Sequence, residues 1–161
     1  MLDEVFTMNA EEVVRTYSDM VYKIAFNYVR SPEDADDVYS ETFLAYFKKE
    51  REFESEEHRK AWLIKVTINE AKTLLSKRSY GEEINDEILG GEDKSLDTIQ
   101  SLDLKEAILR LPEHQREVIM LFYMQGLSTE QISAVLGKNK NTVAVTLMRA
   151  KEALRKYLES E

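Results

Sequence analysis

Trp62, Lys65, Asn69 and Lys72 bring an aromatic ring, an amide and two ammonium groups together at positions i, i+3, i+7 and i+10. On a helix those positions form one stripe. Such a stripe can stack an unpaired base, hydrogen-bond its edge and hold a phosphate backbone. The plain alternative is a tryptophan capping a core beside solvated lysines, and spacing alone favours it. A second cationic group lies further on. Lys138, Lys140, Arg149, Lys151, Arg155 and Lys156 face a single acid, Glu152, over residues 138–156. Cations so clustered can contact phosphates.

The net charge of −9 over 161 residues argues against a nucleic-acid ligand. Its distribution removes the objection. Residues 1–78 hold 12 basic and 16 acidic side chains, residues 79–100 one and seven, and residues 101–161 nine and eight. Phosphates respond to local positive patches, not to the total. No cysteine occurs, which excludes disulfides and thiolate metal sites and suits a reducing cytoplasm. No stretch approaches the ~20 apolar residues of a membrane span, so no membrane insertion is expected. His58 and His114, the two histidines, have no nearby nucleophile and no metal-ligand spacing. Both read as surface residues. No catalytic residue, metal or cofactor is expected, and an enzyme is not.

The elements that must carry these groups read as helices. Five glycines and two prolines leave little turn chemistry for a sheet. Residues 10–30 show helical spacing at Val14, Tyr17, Val21, Ile24, Ala25 and Tyr28. Ser31-Pro32 ends that helix and starts the next, with Ser31 as N-cap. The second helix continues through Val38, Phe43, Leu44 and Phe47, and residues 50–57 form a loop around Phe53. A third helix spans about 58–78, its core stripe Ala61, Ile64, Ile68, Ala71 and Leu75. Residues 79–100, rich in acids and glycine, read as a flexible tether. The fold class is therefore all-α: two small helical domains, 1–78 and 101–161, joined by an acidic flexible linker.

In the C-terminal domain Pro112 opens a helix to about Gln125, with Gly126 as its left-handed cap. Ser128 and Gln131 form a capping box. The short helix that follows turns Ile132, Val135 and Leu136 inward. Gly137–Lys140 reads as a turn, and Asn141 or Thr142 caps a last helix with Val143, Leu147, Ala150 and Leu154 on one face. This is the plan of a helix-turn-helix, whose second helix enters a DNA groove. An ordinary helical hairpin has the same spacing, and the local positive charge tilts the reading toward DNA.

Leu111-Pro112-Glu113-His114-Gln115-Arg116-Glu117-Val118, Gly126-Leu127-Ser128, Ile132, Leu136-Gly137, Thr142-Val143 and Arg149-Ala150 resemble the promoter-reading C-terminal domain of bacterial sigma factors. Pro32–Val38 with Glu41-Thr42-Phe43 is similar to the segment by which those factors grip the polymerase clamp. Arg59-Lys60-Ala61-Trp62-Leu63 with Asn69 is similar to their minus-ten reading helix. Both domains, in order and separated by a short linker, resemble the extracytoplasmic-function branch over roughly residues 10–158.

The resemblance implies a sigma factor that binds core RNA polymerase and directs promoter-specific initiation, in a stress or envelope response. It implies minus-ten contacts from Phe53, Trp62, Lys65, Asn69 and Lys72, with Phe53 and residues 54–57 walling a pocket for a flipped base. Minus-thirty-five contacts fall to Lys138, Lys140, Asn141, Thr142, Val145, Thr146 and Arg149. Asp34, Asp37, Glu41 and Phe43 are implied to meet the β′ clamp helices. The β flap, promoter DNA and an anti-sigma factor are the further implied partners. One departure stands out: the turn after Thr142-Val143 is Ala144-Val145-Thr146, where the family usually places basic and hydroxyl residues. Methyl groups there suit thymine methyls, a weaker readout. Two other readings stay open: a stand-alone helix-turn-helix regulator, and a polymerase-binding protein that has lost promoter reading.

Overall fold

A computed structural model describes residues 8–49, 52–78 and 101–160. The chain is all-α, with seven α-helices and one π-helical turn among the described residues. It divides into two compact units, Met1–Ser95 and Leu96–Glu161. The expected linker, residues 79–100, lies outside the described residues.

The first unit is built from α1 (Ala10–Val29), α2 (Pro32–Lys48) and α3 (Glu56–Arg78). Asn9 caps α1 by accepting the Glu12 N–H at 2.8 Å. Ser31 caps α2 with Pro32 in its first turn, as the Ser-Pro pair dictates. The three helices enclose Val13, Val21, Ala25, Ala35, Val38, Leu63, Ile64, Ile68 and Ala71, all nearly inaccessible. The inner face of α1 includes Val13, fully buried, whereas the expected Val14 is half-buried. In α3 the ends of the expected stripe, Ala61 and Leu75, are likewise half-buried, because three helices cover only part of its length. Thr42 and Thr67 survive in this core by donating to the carbonyls of Val38 and Leu63, at 2.8 and 2.6 Å. Arg78, the last residue of α3, forms a two-pronged ion pair with Asp34 in the first turn of α2.

The second unit comprises α4 (Leu102–Leu109), α5 (Glu113–Ile119), a π-helical turn (Met120–Met124), α6 (Thr129–Leu136) and α7 (Lys140–Glu159). The helix expected from Pro112 to Gln125 thus changes hydrogen-bond register halfway. The Gln125 N–H reaches back five residues to Met120, at 3.2 Å, and the Leu127 N–H reaches Leu121 at 3.0 Å. Gly126, at φ 69°, turns the chain out of it as expected. Ser128 and Gln131 close both hydrogen bonds of the capping box, at 3.1 and 2.8 Å. Gly137, at φ 65°, ends α6. The cap of α7 is Asn139, ahead of the expected Asn141 or Thr142, because its side chain accepts the Asn141 N–H at 2.7 Å. Ile132 and Val135 of α6 and Val143, Leu147 and Ala150 of α7 are buried in the core of this unit, while Leu136 and Leu154 are half-buried.

Candidate nucleic-acid interface

On α3 the exposed stripe consists of His58, Lys65, Asn69 and Lys72. Trp62 is absent from it. The indole is 9 % exposed, edge-on to both Tyr46 and Phe53 at 5.9 Å between ring centroids. Tyr46 and Phe53 are themselves nearly parallel at 5.8 Å, and the Lys49 ammonium lies 4.6 Å from the Trp62 ring centre. An aromatic stack outweighs an exposed ring energetically, since it removes apolar area from water and adds ring–ring attraction. The expected stacking platform therefore closes the core beneath the polar stripe. Phe53 is brought beside Trp62, as expected, but it too is buried. Lys72 leans on the Tyr28 ring at 5.7 Å.

The acidic start of α2 is also sorted by burial. Asp37 and Glu41 are exposed, whereas Asp34 is held by Arg78 and Phe43 is buried beside Tyr39. Neither of the last two presents a surface to a partner. In their place stand Leu44 and Phe47, 49 % and 48 % exposed, on the stripe that carries Asp37 and Glu41. In the sequence both read as a continuation of the second helix after Val38 and Phe43. Their positions at i+7 and i+10 from Asp37, with Ser40 at i+3, put them on its polar side, which was the available signal.

In the second unit the helix-turn-helix puts Lys140, Asn141, Thr142, Val145 and Arg149 on the exposed side of α7, with Thr146 half-buried. Val145 and Met148 make that side apolar. Three of the expected phosphate cations already have acid partners, among them Lys156, 3.8 Å from Glu152. Lys138 pairs at 3.1 Å with Glu117, an almost fully buried carboxylate on α5. An unpaired carboxylate there would be costly, so Lys138 serves the turn first. Lys140 pairs at 2.7 Å with Glu130 in the first turn of α6, and holds that carboxyl below the usual carboxylate range. Lys151 lies over the Phe122 and Tyr123 rings at 5.0 and 5.5 Å. The Lys140 ammonium is thus already engaged by Glu130. Changing Glu130 to Gln is expected to raise DNA affinity and to steepen the salt dependence by about one counterion. Promoter binding titrated at several salt concentrations reads this, and an unchanged slope counts against it.

Among the described residues, no group of three or more His, Cys, Asp or Glu is arranged to hold a metal, and no helix is long and apolar enough to cross a membrane. His58 and His114 are exposed.

Residues 13–80 match the family model for sigma-70 region 2, and residues 101–154 that for sigma-70, region 4. The sigma factor SigV of Bacillus subtilis is 31% identical over 145 residues, covering 87% of this chain and 85% of that protein. The chain belongs to the sigma-70 family. This sigma factor is similar to the extracytoplasmic-function sigma factor SigW of Bacillus subtilis, at 26% identity over 91% of the chain and 87% of SigW. The sigma factor RpoE of Bartonella quintana, solved with the anti-sigma factor NepR, shares the fold. Its TM-score is 0.71 at 23% identity, covering 92% of this chain and 96% of that one. The protein is thus an RNA polymerase sigma factor of the extracytoplasmic-function branch, and directs promoter-specific initiation of transcription.

Proposed function

We propose that this sigma factor divides its work between its units, with residues 1–78 gripping polymerase and opening the minus-ten element. Residues 79–100 join the two, and residues 101–161 locate the minus-thirty-five element. The observation that carries the first assignment is the exposed polar stripe of α3, Lys65, Asn69 and Lys72, backed by the Tyr46–Phe53–Trp62 stack. Lysines hold the backbone of a separated strand and the Asn69 amide offers a donor and an acceptor to a base edge. Trp62 and Phe53 form the wall behind that edge. On α2, Asp37 and Glu41 with Leu44 and Phe47 make an amphipathic stripe for the β′ clamp helices, apolar anchors rimmed by acids. On α7, Val145 and Thr146 offer methyl groups to thymines while Arg149, Lys140, Asn141 and Thr142 approach bases and phosphates. The second unit also meets the β flap.

An anti-sigma factor is a further proposed partner, supported by the complex in which RpoE of Bartonella quintana was solved. A cytoplasmic location and a stress or envelope signal complete the reading. The chain acts by binding and holds no catalytic residue of its own. A second reading is favoured by the apolar side of α7: a polymerase-binding protein that has lost promoter reading, with Val145 and Met148 facing a protein.

Run-off transcription with core RNA polymerase on duplexes randomised over both promoter elements, with sequencing of the RNAs, separates them. Enrichment of defined minus-ten and minus-thirty-five sequences is expected. Polymerase binding without sequence-selected RNA favours the second reading. In the same assay Asn69→Ala is expected to lower transcription about tenfold, the value of one lost base contact, with affinity for core polymerase unchanged. Unaltered RNA yield from Asn69→Ala would sink the assignment of α3.

A further inference from the structure

Behind the α3 stripe lies a polar network that a three-helix core does not need. Arg59, one turn into α3, has a side chain only 4 % exposed and is ion-paired with Glu56. Glu56 accepts a hydrogen bond from the Tyr17 hydroxyl of α1 at 2.7 Å. The Arg59 Nε donates to the Tyr46 hydroxyl of α2 at 3.1 Å, and its guanidinium carbon lies 5.3 Å from the Phe53 ring centre. Phe53 is therefore bounded by the parallel Tyr46 ring and by the guanidinium that holds Tyr46. The segment that follows is tied down as well. The Glu54 N–H donates to the His58 Nδ1 at 3.2 Å, and the His58 N–H donates to the Ser55 hydroxyl at 3.0 Å. Burial pushes the Tyr17 phenol up, with Arg59 pulling against it, so it remains an O–H donor to Glu56.

A buried ion pair is weak evidence for stability, because well-packed apolar residues commonly do as well. What a guanidinium supplies here is direction, since its planar fork meets Glu56, Tyr46 and Phe53 at fixed angles. Tyr17 of α1, Tyr46 of α2, and Glu56 and Arg59 of α3 thus together fix the short stretch leading into α3. Tyr46 points away from the Asp37–Leu44 stripe, since the two lie on opposite sides of α2 by helical spacing. Tyr17 and Arg59, on α1 and α3, lie off the proposed polymerase-binding face, which the network meets at Tyr46, where the Phe47 ring stands edge-on at 5.5 Å.

We infer that Tyr17, Glu56, Arg59 and Tyr46 form a brace that sets the position of Phe53 and residues 54–55, and thereby the base selectivity of the minus-ten element. The inference rests on the proposed reading of the α3 stripe. These are positioning residues: they act on DNA only through Phe53 and the segment beside it. A displaced wall changes which base fits, whereas a loosened fold lowers binding to all sequences alike.

The test uses the full chain with core polymerase and the randomised duplex library, for Tyr17→Phe, Arg59→Lys and Asn69→Ala. Tyr17→Phe removes one hydroxyl and keeps the ring; Arg59→Lys keeps the charge and loses the fork. Both are expected to bind core polymerase within about twofold of the unsubstituted chain, as changes away from that face should. Their base preference at the minus-ten position nearest Phe53 is expected to fall about tenfold, with minus-thirty-five preferences intact. Thermal melting followed alongside identifies a variant that has merely lost its fold, and Tyr17→Phe serves where Arg59→Lys does. Unchanged minus-ten preferences in Tyr17→Phe overturn the brace, as does an equal loss at both elements. If Asn69→Ala alters minus-ten selection and the brace variants do not, the brace alone fails. If Asn69→Ala alters nothing, the reading of α3 fails and the brace with it.

Discussion

Replacing Leu44 and Phe47 together by serine is expected to weaken binding to core RNA polymerase by about two orders of magnitude. Both side chains are roughly half exposed on α2, so each has apolar area still to bury against a partner. Covering that remaining half contributes about 1.5 kcal/mol per residue, about 3 kcal/mol for the pair, hence about a hundredfold in affinity. The same exposure limits the loss of fold to about 2 kcal/mol: Phe47 gives up ring contacts with Phe43 at 6.3 Å and with Tyr46 at 5.5 Å, each worth about 1 kcal/mol. Competition for core polymerase against the unsubstituted chain measures the affinity, and circular dichroism the melting. An affinity within about threefold of the unsubstituted chain, less than about 0.7 kcal/mol, would place the docking surface elsewhere.

The largest effect on stability is expected from Leu63→Ala. Leu63 is fully buried in α3, where the three helices of the first unit meet, and its carbonyl accepts the Thr67 hydroxyl. Removing three carbons from such a site costs about 3 kcal/mol, the transfer energy plus that of an unfilled cavity. For a unit of this size each kcal/mol lowers the melting temperature by about 4–8 °C, so a drop of about 12–24 °C is expected. Calorimetry of the full chain reads it. A drop under about 5 °C would mean that α1 and α2 collapse onto the space, contrary to the dense packing of protein cores.

The two predictions concern apolar residues that helical spacing does not tell apart, and the structure separates them. Leu44, Phe47 and Leu63 are all apolar and all at helical spacing. Leu63 is covered by two other helices, whereas the stripe of Leu44 and Phe47 faces none in its unit. Polarity fails in the same way. Asp34 and Asp37 lie three residues apart in one acidic run, yet Arg78 reaches only the first of them. That partner is 44 residues away in sequence, beyond the reach of any local pattern. The π-helical turn at Met120–Met124 was equally hidden, since a one-residue change of hydrogen-bond register leaves the helix formers and the spacing almost unaltered.

What the sequence determined by itself was whatever depends on neighbours within about one helical turn. The helix class, the Ser31-Pro32 and Ser128–Gln131 starts, and the Gly126 and Gly137 stops are short-range chemistry, and each stands where it was expected. So does the match of two ordered motif sets to the sigma-70 regions. Only the tertiary structure decided which side of each amphipathic helix was left without a cover. It withdrew Trp62, Phe53, Asp34 and Phe43 from the surface, and left Leu44 and Phe47 on it. It also committed Lys138 to Glu117 and joined Tyr17, Tyr46, Glu56 and Arg59 from three helices. The physical reason is that burial and ion pairing depend on distance in space, and a helix by itself carries no information about which of its stripes another helix will reach.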